Sequence, residues 1–134
     1  MGAWGEKPFE NDSAMDWLAE LGKQGVGALR NALREVVDTD GEDYLEVDEG
    51  SAAIAAAELV SAAQGHGREY LVEAAVEWLD KNDGVLGDAD VKLARRAVKR
   101  VFAENSELRE LWDENGEDGD WHKEVRALQT RLKG

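Results

Sequence analysis

The sequence predicts an all-α fold, a single compact domain of about six or seven short helices with an irregular N-terminal arm over residues 1–12. Three observations carry this expectation. Apolar residues recur at three- and four-residue intervals through most of the chain, no segment sustains the alternation of a strand, and glycines and acidic clusters punctuate the periodic runs. At 134 residues the chain is the size of one domain, and its five tryptophans supply core anchors. Nineteen of its apolar residues are alanines, so the large side chains available for a core are fewer than the 43% hydrophobic content suggests, though still sufficient.

The elements follow in order. Residues 1–12 hold the only proline together with Trp4 and Phe9, and read as an arm packed on the domain. Ser13 and Asp16 fit a capping pattern, and Ala14, Trp17, Leu18 and Leu21 share one helical face, predicting a helix over 13–21. Gly22, Gly25 and Gly27 interrupt it, after which Val26, Leu29, Leu33, Val36 and Val37 resume helical spacing up to position 38. Residues 38–49 contain seven carboxylates and no basic residue, which predicts a loop or extended link. Residues 50–63 are apolar in several directions, with Glu58 their single charge, so this helix is expected to be packed on most sides.

Gly65 and Gly67 are placed to end it. Leu71, Ala74, Ala75, Trp78 and Leu79 form the stripe of a fourth helix, closed by Asn82, Asp83 and Gly84. A fifth begins near Asp88 and turns Val91, Ala94, Val98, Val101 and Phe102 inward, ending near Asn105. Leu108, Leu111 and Trp112 mark a short sixth. After an acidic turn at 113–120, Trp121, Val125, Leu128 and Leu132 define a terminal helix.

Charge narrows the function classes. Sixteen basic against thirty acidic residues leave a net charge of −14, which repels nucleic acid and anionic lipid and suits a basic partner. The chain has no cysteine, which excludes disulfides, thiolate metal ligation and a thiol nucleophile. The opening lacks the basic and apolar regions of a signal peptide, Glu6 stands where a myristoylation motif wants Ser or Thr, and no apolar stretch is long enough to span a bilayer. A cytoplasmic protein without membrane attachment is therefore expected.

The string Trp4-Gly5, Pro8-Phe9, Asn11-Asp12, Ala14, Asp16-Trp17 resembles the opening of a bacterial family known only as domain of unknown function 4259. Further blocks of similar character are Asp43-Tyr44-Leu45-Glu46, Ala57-Glu58-Leu59-Val60, and Ser106-Glu107-Leu108 followed by Leu111-Trp112. The resemblance spans most of the chain and departs at Lys7, where members often carry glycine. It implies one compact domain beginning near residue 4, and no activity.

Several clusters are candidates for function. Trp4, Asn11, Asp12 and Asp16 place polar groups beside aromatics, as a recognition edge for a peptide or small cationic ligand would; helix capping and core burial explain the same residues. Lys92, Arg95, Arg96, Lys99 and Arg100 fall on one stripe of the fifth helix. They suit a phosphate backbone or an acidic partner, or else face the carboxylates of 38–49. Glu58 must lie at an edge, pair with an arginine such as Arg30 or Arg34, or stay neutral, because an unpaired buried carboxylate costs several kcal/mol, on the order of a whole domain's margin. A calcium loop counted from Asp38 finds Asp40, Glu42 and Glu49 in register, but Asp43 occupies the position of the bend-forming glycine, which arrives early as Gly41. The acidic turns at Asp80 and Asp113 also have their glycines out of register. No metal, cofactor or catalytic residue is assigned, since neither His66 nor His122 joins a recognisable triad or zinc motif.

The leading expectation is a noncatalytic domain that meets a basic protein through acidic surface at 38–49 or 113–120. A small-ligand protein or enzyme with a pocket near Trp4, Asp12, Asp16 and Glu58 is the alternative, and nucleic-acid contact through the basic stripe is a third.

Overall fold

The computed structural model describes residues 12–39, 42–82, 84–113 and 120–133. It consists of α1 (Asp12–Gln24), α2 (Val26–Asp38), α3 (Val47–Ala63), a 3₁₀ turn (Arg68–Tyr70), α4 (Glu73–Lys81), α5 (Asp88–Val101), α6 (Glu107–Asp113) and α7 (Asp120–Leu132). Among the described residues there is no strand, only one parallel bridge between Leu45 and Ser106. The single all-α domain is as expected. The arm lies outside the described residues except for its last member, Asp12, which opens α1.

Helix α3 is the axis of the fold and packs against each of the other six α-helices. Its composition makes this possible. Twelve of its 17 residues are buried, and Ala53, Ala55, Ala56 and Ala57 are inaccessible to solvent, so short side chains let neighbouring backbones close in from all sides. The surrounding helices are amphipathic and turn one stripe toward α3. Trp121, Val125, Leu128 and Leu132 of α7 are all buried, as their spacing predicts. Trp17 and Trp78 are buried too, and the Trp17 indole Nε1 donates to the Ala28 carbonyl at 3.3 Å. The side chains of Trp4 and Trp112 lie outside the described residues.

Several boundaries differ from the sequence reading. Ser13 does not cap α1: it lies within the helix, and its hydroxyl donates to Asp48 Oδ1 at 2.6 Å. The break between α1 and α2 is a single residue, Gly25, whose φ of 77° falls in the left-handed region that glycine occupies without a steric penalty. Helix α3 begins at Val47 rather than Gly50, because the Val47 amide finds an acceptor in Glu107 Oε1 at 2.9 Å, across the fold. Asp48 and Glu49 then occupy the first turn, where carboxylates suit the helix dipole.

In the link ahead of α3, Glu42 and Asp43 form a turn and a bend, and Leu45 is fully buried. Its N–H donates to the Asn105 carbonyl at 2.8 Å and its carbonyl accepts from the Glu107 amide at 2.9 Å. Leu71 precedes α4 and Ala74 is exposed, so the inward face of that helix reduces to Ala75, Trp78 and Leu79. Helix α5 ends at Val101, short of Asn105, and Val91 and Phe102 are only partly buried.

Candidate functional site

Glu58 lies on α3 and is 1% exposed. Its partner is neither Arg30 nor Arg34. Oε1 accepts from Arg131 Nη2 on α7, and Oε2 has no hydrogen-bond partner among the described residues. Burial pushes the Glu58 carboxyl up to about 7 even though the Arg131 charge opposes that shift. Arg131 in turn crosses over Gly67, where an added Cβ would lie 2.7 Å from Nε. Arg30 instead forks onto Asp90, with Nε 2.9 Å from Oδ1 and Nη2 3.2 Å from Oδ2, and joins α2 to the start of α5. Burial alone would raise the Asp90 carboxyl, but hydrogen bonds from Arg30 and the Gly87 amide, with the charges of Arg30 and Arg34, hold it below the usual carboxylate range. Arg34 itself is exposed.

The basic stripe separates into two parts. Arg100, at the last turn of α5, donates to the carbonyls of Thr39 at 3.0 Å and Asp43 at 2.7 Å, and thereby fastens the acidic link to the helix. Both of these acceptors are backbone oxygens. Lys92, Arg95, Arg96 and Lys99 form no hydrogen bond or ion pair with the described part of the link. With Gln129 of α7 and Lys133 just past its end they line an open groove of about 630 Å³. None of these five cations forms an ion pair with another residue of the described structure.

The acidic surface gathers where α2 ends and α3 begins. Glu35, Glu46 and Asp48 are exposed, and none of them is ion-paired among the described residues. Burial raises the neighbouring Glu49 carboxyl, and repulsion from Glu46, Glu35 and Asp48 adds to the shift. Next to this surface Tyr44 is half exposed and donates its hydroxyl proton to Glu110 Oε1 at 2.7 Å.

Trp4, Asn11 and most of the 113–120 turn lie outside the described residues. Asp12 and Asp16 are exposed on α1, while Glu58 faces inward toward Arg131. A second groove, about 590 Å³, runs between α1 and α4 past Leu18, Gly22, Glu77 and Trp78. Neither groove is lined by Asp12, Asp16 or Glu58. No three His, Asp or Glu side chains among the described residues converge as a metal-ligand set.

One buried polar contact was not anticipated from sequence. His122 is 1% exposed, its Nε2 lies 2.6 Å from Asp113 Oδ1, and its ring sits edge-on to Trp121 with centroids 5.1 Å apart. Phe102 completes the aromatic cluster, flanked by the guanidinium groups of Arg109 and Arg126 at 5.2 and 5.7 Å from its centroid. The His122–Asp113 contact joins α6 to α7.

Fold and surface together define an acidic all-α domain built on a central alanine-rich helix, with one cluster of carboxylates around Glu49 and one groove lined by cations. No described helix is long and apolar enough to cross a membrane. The chain belongs to the family described as domain of unknown function DUF4259, whose sequence pattern matches residues 2–124. Arg131 and Lys133 lie beyond the matched region. No curated protein and no solved structure matches the chain.

Proposed function

We propose that this protein is a noncatalytic binding domain that docks a basic protein through the carboxylate face around Glu35, Glu46, Asp48 and Glu49. The observation that carries the reading is the uncompensated crowding there: Glu46, Glu35 and Asp48 add to the upward shift that burial imposes on the Glu49 carboxyl, and no described cation pairs with Glu35, Glu46 or Asp48. Clustered like charge costs folding energy, and a cationic partner relieves it on docking. The backbone beneath the face is fixed by Arg100 and by the Leu45 bridge, so the charges are presented on a rigid support.

Affinity capture from native cells at low and high salt tests this. Glu35, Glu46 and Asp48 are replaced together by their amides, and a control exchanges three exposed carboxylates elsewhere, Glu69, Glu77 and Glu104. The wild type and the control retain a basic protein that high salt releases, and the first variant loses it. Capture of no basic protein, or equal capture by both variants, contradicts the reading.

A further inference from the structure

The cations between α5 and α7 present a different problem from the acidic face. In a chain with thirty acidic and sixteen basic residues, a groove whose described lining holds five cations and no carboxylate stands out. Elsewhere on the described surface Arg30 pairs with Asp90, Arg68 with Asp80, Arg109 with Asp113 and Arg131 with Glu58. Lys92, Arg95, Arg96, Lys99 and Lys133 form no ion pair among the described residues, and they converge on one concavity.

Helical geometry explains how they converge. Positions 92, 95, 96 and 99 are spaced by three and four residues, so they share a single face of α5, and that face borders α7. Lys133 approaches from the end of α7, and Gln129, one turn earlier, adds a neutral amide. Mutual repulsion among the five works against this arrangement in the empty protein, and a multiply charged anion removes that repulsion.

We infer that the α5–α7 groove binds a nucleotide-sized organic polyphosphate. The volume of about 630 Å³ falls within the range of about 300–1,000 Å³ found for small-molecule sites and exceeds what a single phosphate fills. Adjacent arginines favour phosphate, because each guanidinium forks onto two oxygens while the lysines add point charge. Gln129 suits an uncharged portion such as a base or sugar. A nucleic-acid duplex is the poorer fit: it extends past the groove and meets the field of a molecule carrying a net −14, whereas a compact anion keeps its charge among the five cations.

Calorimetric titration of the full chain at low salt with tripolyphosphate, ATP and a 20-base-pair DNA duplex provides the test. Tripolyphosphate and ATP bind with one site per chain, ATP the more tightly, and the duplex binds more weakly than either. Replacing Arg95, Arg96 and Lys99 by Gln weakens ATP at least tenfold, and because all three are exposed the variant keeps the wild-type melting curve. Lys133→Gln, just past the end of α7, also weakens ATP several-fold, a response that a bare stripe on α5 does not give. No binding by either small anion, tighter binding of the duplex, or indifference to both variants overturns the proposal.

Discussion

Glu58 and Gly67 carry the most specific consequences at the level of single residues. The Glu58 carboxyl ordinarily titrates near 4.5 and in the folded protein is pushed up to about 7. Between those values the folded state holds the proton and the unfolded state does not. The stability it confers is therefore complete below 4.5 and is lost as pH rises through 7, by on the order of 2–3 kcal/mol. Urea unfolding at pH 5 and pH 8 measures this, and Glu58→Gln reduces the difference between the two pH values; an unchanged difference refutes the assignment. Gly67 has a φ of 90° and lies under Arg131, while Gly65 has a φ of 91° with open space around its Cβ position. Gly65→Ala therefore reports backbone strain alone, about 1 kcal/mol, and Gly67→Ala loses more because Arg131 must also move. Equal losses in urea midpoint contradict the crossing of Arg131 over Gly67. Neither the Glu58 pair nor its glycine support was legible in the sequence. Their members are 73 and 64 residues apart in the chain, and helical periodicity carries no information on which charge meets which across a fold.

Among the elements, α3 separates substitutions that fill space from those that need more than there is. At Gly50 an added methyl meets Leu108 at 3.5 Å and Val101 at 3.7 Å, ordinary contact distances within a helix. Gly50→Ala is expected to raise stability by about 0.5–1 kcal/mol, through better helix propensity and a less free unfolded chain. Ala57 has no accessible surface, and Ala57→Leu is expected to lower stability by about 1–3 kcal/mol through overpacking. Thermal denaturation of the pair distinguishes them, and a stabilising Ala57→Leu contradicts the packing described. The burial of α3 and the stripe of α7 were legible, since a helix lacking a polar face must be enclosed and a clean stripe must face inward. The start of α3 was not. It is set by Glu107, sixty residues away, and the Ser13–Asp16 pattern misled because the Ser13 hydroxyl bonds Asp48 instead. His122 was within reach: it adjoins Trp121 and lies three residues before Val125, on the edge of the buried stripe. Arg100 shares the periodicity of the basic stripe, yet its position at the end of α5, against the link, gives it a different role.

Across the whole molecule, composition foretold the net charge but not its distribution. Helices α2 and α3 bring Glu35 beside Glu46, Asp48 and Glu49, although Glu35 and Glu46 are eleven positions apart. Packing of α5 on α7 gathers the opposite sign from α5 and from Lys133 just past the end of α7. Segregation of this kind steers a cationic protein toward one face, and steering shows itself mainly in the rate of association. Stopped-flow association between the protein and its captured basic partner, at about 20 and about 200 mM salt, is the most direct measurement. The account predicts an association rate that falls about tenfold or more across that range, a dissociation rate that changes far less, and a much weaker salt dependence once Glu35, Glu46 and Asp48 are amides. An association rate indifferent to salt, or a salt dependence that survives those three substitutions, would contradict it.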